Sequence, residues 1–381
     1  MNHQYKKMDY NHIEHGKPNK YAVIVILAVS FITLFLTLGR SSTEDVIGGL
    51  VKEIRDERDV SSPMGDKVVK EQELLVELEL DDGNKKEVVI VNDFMPVESG
   101  DTIFVRGSFF VEEQEERSFD IVDISRKNGI LFFTFFFIVL VFITSGWKGF
   151  YSLVGLVFSF AVIFSFIVPQ ILKEANPVFI GVVGSFFILL ATLYLSYGFS
   201  RKSLSALIGI SLSLLFVGVF ADTAIKLMDF SGFAGEESMF LSVETDNSLN
   251  LVGLLVAGII IAAVGVLDDV AITQASTVFS LASVDYSLRG LRLFRKSMEV
   301  GQDHISAVVN TLVLAYTGAA LPLVLLLSLR KVPVEYFISV EIVAEEIART
   351  LIASSGLLLA VPMTAAIAVL FTRTTGNKRY N

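Results

Sequence analysis

The stretch "LVGLLVAGIIIAAVGVLDDVAITQAS", Leu251 to Ser276, decides the fold. Its first seventeen residues, 251–267, are uncharged and include eleven Leu, Val or Ile. As a helix they rise about 26 Å, close to the ~30 Å hydrocarbon core of a bilayer. Two aspartates, Asp268 and Asp269, come directly after. On an insertion scale an Asp at mid-span costs about 2.5–3.5 kcal/mol, so the pair costs about 5–7, and eleven aliphatic residues offset roughly 3–7. The segment therefore inserts with a small margin if the carboxylates lie deep, and easily if they mark its end.

The residues after the aspartates do not read as a plain loop. No basic residue occurs before Arg289. Read as a helix, Asp269, Thr273, Ser276 and Ser280 share one face, while Val270, Ile272, Val278 and Phe279 occupy the others. A carboxylate heading a polar stripe on an apolar helix suits a wetted cavity or a partner helix better than lipid. Gly265 allows a break in the span, and transporters place ion and substrate sites at interrupted helices. The simpler reading, that the aspartates mark the cytoplasmic end of an ordinary span, stands beside this one.

The whole chain agrees with a membrane setting. Of 381 residues, 52% are hydrophobic and 31 are Phe, well beyond an ordinary soluble domain. Eight apolar segments are long enough to cross: 21–39, 129–147, 150–172, 176–198, 204–221, 250–267, 305–329 and 350–372. With the N-terminus inside, 14 basic residues fall on the cytoplasmic side against 6 in the outer segments, which predicts an N-in, C-in protein. The segment 21–39 is long for a signal peptide and lacks a small-x-small cleavage site, so it reads as a retained anchor. No cysteine is present, which excludes disulfides, thiol catalysis and Cys-ligated metal. His12 and His15, in "HIEH", lie in a polar tail with His3 and read as solvated residues rather than a metal pair.

The acidity is concentrated. Residues 41–127 hold 23 Asp or Glu against 11 Lys or Arg. Nucleic acid is not an expected partner, since phosphate contact needs clustered positive charge. Within this segment the hydrophobic period changes to two in "KVVKEQELLVELEL", "KEVVIVND", "DTIFVRGSFF" and "RSFDIVDISR". Asp82-Gly83-Asn84 marks a turn between the first two, with its aspartates set by turn geometry rather than calcium. Val88, Ile90 and Phe104 are read as half-buried residues of these strands. The expectation is a small OB-like β-barrel outside the membrane. The organisation is thus a cytoplasmic tail 1–20, an anchor 21–39, a linker 40–65 ending in "SSPMGD", a β domain 66–127, a seven-helix membrane domain 128–375 and a tail 376–381.

Three blocks, "VGVLDDVAITQAS", "GQDHISAVVNTLVLAYTGAALPLVLLLS" and "EIVAEEIARTLIASSGLLLAVPMT", resemble the YibE/F family of bacterial multi-pass membrane proteins, and occur in the family's order over roughly 125–380. The N-terminal anchor and extracytoplasmic segment resemble its long, YibE-like form. The resemblance implies a multi-pass protein of the bacterial plasma membrane, often taken to be a permease, with no particular solute or reaction. The short family form offers a hetero-partner by analogy, beside self-association.

Other polar residues in the spans complete the candidates. Asn310, six residues into an apolar run, serves either as helix–helix glue worth about 0.6–2 kcal/mol or as a partner for the Asp269 stripe. Asp303 and His304 set the cytoplasmic end of that span. Glu341, Glu345 and Arg349 fall at i, i+4 and i+8, with Glu345–Arg349 a favourable helical pair. The alternative there is an outer gate of Glu345, Glu346 and Arg349. The function expected is a permease, proton- or cation-coupled through Asp268 and Asp269, with Thr273, Gln274, Ser276, His304 and Asn310 along the path and no cofactor. The alternative is a non-catalytic scaffold or sensor that assembles through the β domain. A metal-dependent membrane enzyme has least support, since no third ligand of convincing spacing, nucleophile motif or phosphate-binding glycine loop is seen.

Overall fold

In a computed structural model, residues 46–61, 68–79, 84–93, 95–108 and 118–376 are described, together with 23, 26–30 and 32–33. The chain divides into two compact units, Gly39–Thr144 and Met1–Leu38 with Ser145–Asn381.

The first unit holds a five-stranded antiparallel sheet of β1 (Val46–Ser61), β2 (Val68–Glu79), β3 (Lys85–Asn92), β4 (Thr102–Ser108) and β5 (Ser118–Ile124), in the order β3-β2-β1-β4-β5. Strands β2 to β5 form where period two is regular. Leu74, Val76 and Leu78 of β2, Ile90 of β3, and Ile103 and Val105 of β4 are buried in one core. Each is worth about 1.5–3 kcal/mol of burial. The long β1 corrects the expected linker 40–65. Its inward residues run Ile47, Gly49, Val51 and then Ile54, because two register shifts, at Val51/Glu53 and Ile54/Asp56, break the alternation. Phe104 is also corrected: it is 40% exposed, because Ile103 and Val105 hold the inward parity of β4. The "SSPMGD" stretch lies outside the described residues apart from Ser61, as does the turn apart from Asn84.

A polar knot fixes the loop after β3. Buried Gln72 donates to the Val97 carbonyl (3.1 Å) and accepts from Val97 N–H (2.9 Å) and from Asn92 Nδ2 (3.1 Å). Surface ion pairs tie the centre of the sheet to β3. Lys52 meets Glu77 at 2.5 Å and Glu87 at 2.9 Å, and Lys85 meets Glu77 at 2.6 Å. These two ammonium groups hold the Glu77 carboxyl well below the usual range, at about 2.

The rest is helical: α1 (Lys127–Leu172), α2 (Pro177–Tyr197), α3 (Arg201–Leu227), α4 (Glu236–Glu244), α5 (Leu251–Val284), α6 (Leu291–Ala319), α7 (Leu321–Leu329), α8 (Val334–Ser339) and α9 (Glu341–Gly376). Among the described residues five of these, α1, α2, α3, α5 and α9, are each long and apolar enough to cross a membrane, and α6 with α7, bent by 62°, makes a sixth if counted as one span. At 46 residues α1 would rise about 69 Å, far more than one crossing needs. It is interrupted at Gly146, where φ is 55° and ψ −138°, a conformation that glycine adopts at little cost.

In the helical unit α5 is the hub, packed by α2, α3, α6 and α9. Small residues set the crossings. A Cβ on Gly181 of α2 would lie 3.0 Å from the Ala257 Cβ of α5. On α3 and α9, Gly209 meets Thr364 and Val217 meets Gly356. Eight residues separate the two contacts on each helix, in opposite senses, so α3 and α9 run antiparallel. Asn176 caps α2 by accepting from Phe179 N–H (3.1 Å), and Asn250 caps α5 by accepting from Gly253 N–H (2.8 Å). Of the anchor segment 21–39, Val23, Ile26 and Leu27 pack with Phe150, Tyr151, Val154 and Leu195; its residues other than 23, 26–30 and 32–33 lie outside the described residues, as do the histidine-bearing tail and 377–381.

Candidate functional site

The helix α5 runs unbroken through Gly265 to Val284, so the expected interruption does not occur. Eleven residues beyond the Gly181–Ala257 contact, on both helices, Thr192 of α2 reaches Asp268 of α5. Equal spacing in the same direction means that α2 and α5 run parallel, in register for about 16 Å. Thr192 Oγ1 lies 2.8 Å from Asp268 Oδ2 and 3.3 Å from the Leu189 carbonyl oxygen. Asp268 Oδ1 is buried and has no hydrogen-bond partner among the described residues. Behind Thr192 stands Gly155 of α1, whose added Cβ would lie 3.4 Å from Thr192 Cγ2. Tyr197, the last residue of α2, is within electrostatic reach of both aspartates.

Asp269 points elsewhere. It is exposed with Gly265, Thr273 and Ser280, and Ser276 is half-buried, so the stripe lies on an open face of α5. Gln274 is on the opposite side, buried, and donates to the Ser297 carbonyl of α6 at 3.1 Å. That bond ties two helices together. Asn310 is exposed, on the far side of α6 from the face bearing Met298, Ile305, Val309, Leu312 and Tyr316 that packs on the core. His304 is half-buried. The structure thus gathers neither Asn310 nor His304 with Asp268, and it supplies Thr192, which sequence reasoning missed. A hydroxyl in the otherwise apolar 186–193 run of α2 was the available signal.

A second polar cluster begins α9. Glu341 accepts from Ser231 N–H (2.5 Å), Ser231 Oγ (2.8 Å) and Gly232 N–H (3.2 Å), holding the loop after α3. Arg349 Nη1 pairs with Glu346 at 2.8 Å, three residues back, rather than with Glu345. Glu345 Oε1 and Arg349 Nε are buried without partners among the described residues. Among the described residues no group of three or more His, Asp or Glu is arranged to hold a metal ion.

Long apolar helices crossing through glycines, with a partly buried carboxylate bonded between two of them, define a multi-pass helical membrane protein. The chain belongs to the YibE/F-like protein family, whose model matches residues 133–374, a range that begins six residues into α1 and ends two residues before the end of α9. No curated protein and no solved structure matches the chain.

Proposed function

We propose that this protein is a plasma-membrane permease in which Asp268, held by Thr192 between α2 and α5, is the ion-coupling carboxylate. The observation that carries the reading is the buried, unpartnered Asp268 Oδ1. An ionisable group kept inside apolar helices is costly and is commonly functional. Thr192 lies five residues before the end of α2, about 8 Å from it, so the site belongs to the inner third of the bilayer. Two basic segments lie at that end, Arg201-Lys202 after α2 and Arg289 to Lys296 after α5, which supports a cytoplasmic assignment. Eight crossings result if α1 counts twice across Gly146, α6 with α7 counts once, and 21–39 is added. Both termini are then inside and the acidic β unit outside. The reading of that unit as OB-like is supported by β1 pairing with both β2 and β4 and by the approach of the β3 and β5 edges, which do not pair. In this reading Asp269, Thr273 and Ser276 line an open face of α5 beside the site, and Glu345, Glu346 and Arg349 the opposite mouth.

The test is solute-dependent proton movement in sealed vesicles holding the full chain and an internal pH dye, under an imposed potential, with a panel of organic cations and anions. Asp268→Asn is expected to abolish it with insertion unchanged. Equal signals from both proteins would remove Asp268 from the mechanism.

The scaffold reading has one observation in its favour. The strand β3 exposes Val89 and Val91, at 47% and 58%, on the outer face of the sheet, an apolar patch that another chain would cover. Deleting 46–124 would then lose a partner that Asp268→Asn keeps.

A further inference from the structure

We propose that Asp268 binds a single proton and that the Thr192 hydroxyl serves both of its charge states. The inference rests on the permease reading and names the ion that its carboxylate takes. Thr192 Oγ1 has two acceptors in reach, Asp268 Oδ2 at 2.8 Å and the Leu189 carbonyl oxygen at 3.3 Å. A hydroxyl has one proton to give and lone pairs to accept with. When Asp268 is ionised, Thr192 donates to Oδ2. When a proton sits on Oδ2, that O–H donates to Thr192 Oγ1, and Thr192 turns its own proton to Leu189. Each state leaves every proton with an acceptor, and only the hydroxyl rotates.

The bare Oδ1 separates the two states. In the ionised form it shares a negative charge with no donor facing it among the described residues; in the neutral form it is a carbonyl oxygen, much less costly to leave unpaired. The neutral form is therefore the resting one, and ionisation calls for water or solute to reach Oδ1. A metal ion is the poorer fit. Calcium takes six to eight oxygen ligands and magnesium an octahedral set, whereas this carboxyl meets one hydroxyl among the described residues.

Among the described residues, Asp269 is the neighbouring carboxylate on its own helix, and Tyr197 is the titratable group at the end of α2. The α1 segment behind Thr192 presents Gly155, with Tyr151 its nearest titratable group. Helices α3, α6 and α9 meet α5 through Gly218, Gly301 and Gly356, against Ile260, Gln274 and Leu267.

The experiment is infrared difference spectroscopy of the full chain in vesicles of phosphatidylethanolamine and phosphatidylglycerol, titrated with pH. The expected result is a protonated-carboxyl band at neutral pH that Asp268→Asn lacks. Excess sodium, magnesium or calcium chloride should leave it in place. Thr192→Val should move the pH at which the band disappears, because it removes a donor to the ionised form, and Thr192→Ser should restore it. A spectrum identical in wild type and Asp268→Asn, or a band displaced by one of those cations at constant pH, overturns the proposal. The two readings fail separately. A band without flux of any solute leaves the proton site and removes the permease; flux without a band does the reverse.

Discussion

At the scale of single residues, the arrangement turns on which of two adjacent carboxylates faces protein. Their helical offset of about 100° sends Asp268 to Thr192 and Asp269 to an open face. The periodicity of the sequence picks out Asp269, because its hydroxyl neighbours lie on its own helix. It does not pick out Asp268, whose partner is 76 residues away. Packing at this scale gives a direct test. A Cβ on Gly209 would lie 2.1 Å from Thr364 Oγ1 and 2.8 Å from Thr364 Cα, so Gly209→Ala forces two helix backbones apart. We expect a loss of about 1–3 kcal/mol, typical of overpacking, seen as a lower unfolding temperature in detergent. Gly258→Ala, which meets nothing within 4 Å, is the control and should leave that temperature unchanged or raised.

Individual elements show where a sequence is informative. Strands β2 to β5 arise from regular alternation, and the apolar helices from uninterrupted hydrophobic runs. The strand β1 was not legible: two bulges switch its inward parity, and most of its later residues are charged. The charged positions become interpretable only as cross-strand partners, Lys52 with Glu77 and Arg58 with Glu71. Glu77 supplies a pH prediction. Its carboxyl is held down in the folded sheet, so its contribution to stability is present above the ordinary glutamate range, about 4.3, and is lost as pH falls through about 2. Thermal unfolding of the separately expressed β unit should show this acid loss in the wild type and a flatter profile in Glu77→Gln. At the other end of the chain, Glu341 holds Ser231 and Gly232. Glu341→Ala should speed proteolytic cleavage between Asp229 and Gly235 severalfold, and an unchanged rate would show that the loop is held by its apolar contacts instead.

For the whole molecule, the sequence carries its apolar, helical class more readily than the packing or the count of spans: eight apolar segments are read from it, against five or six helices long and apolar enough to cross among the described residues. The hub role of α5 was not visible, since its apolar residues point all round and give no face. The bend between α6 and α7 was also hidden within one apolar run, 305–329. Sidedness has a practical test because the chain contains no cysteine, so each introduced thiol reports alone. We expect Asp285→Cys to react from the same side as the N-terminus, and Asp56→Cys and Asp246→Cys from the other. Labelling of all three from one side would contradict an N-in arrangement with the β unit outside.

Central to the account is a carboxyl enclosed by α2 and α5 yet reached by water from the cytoplasmic end. The measurement that bears on it most directly is reaction of Asp268→Cys in sealed vesicles with a charged, water-soluble thiol reagent, beside Asp285→Cys as the accessible reference. Slow reaction from the cytoplasmic side alone is the expected result. Absence of reaction from either side, with Asp285→Cys fully labelled, would mean a dry and sealed position and would contradict the account.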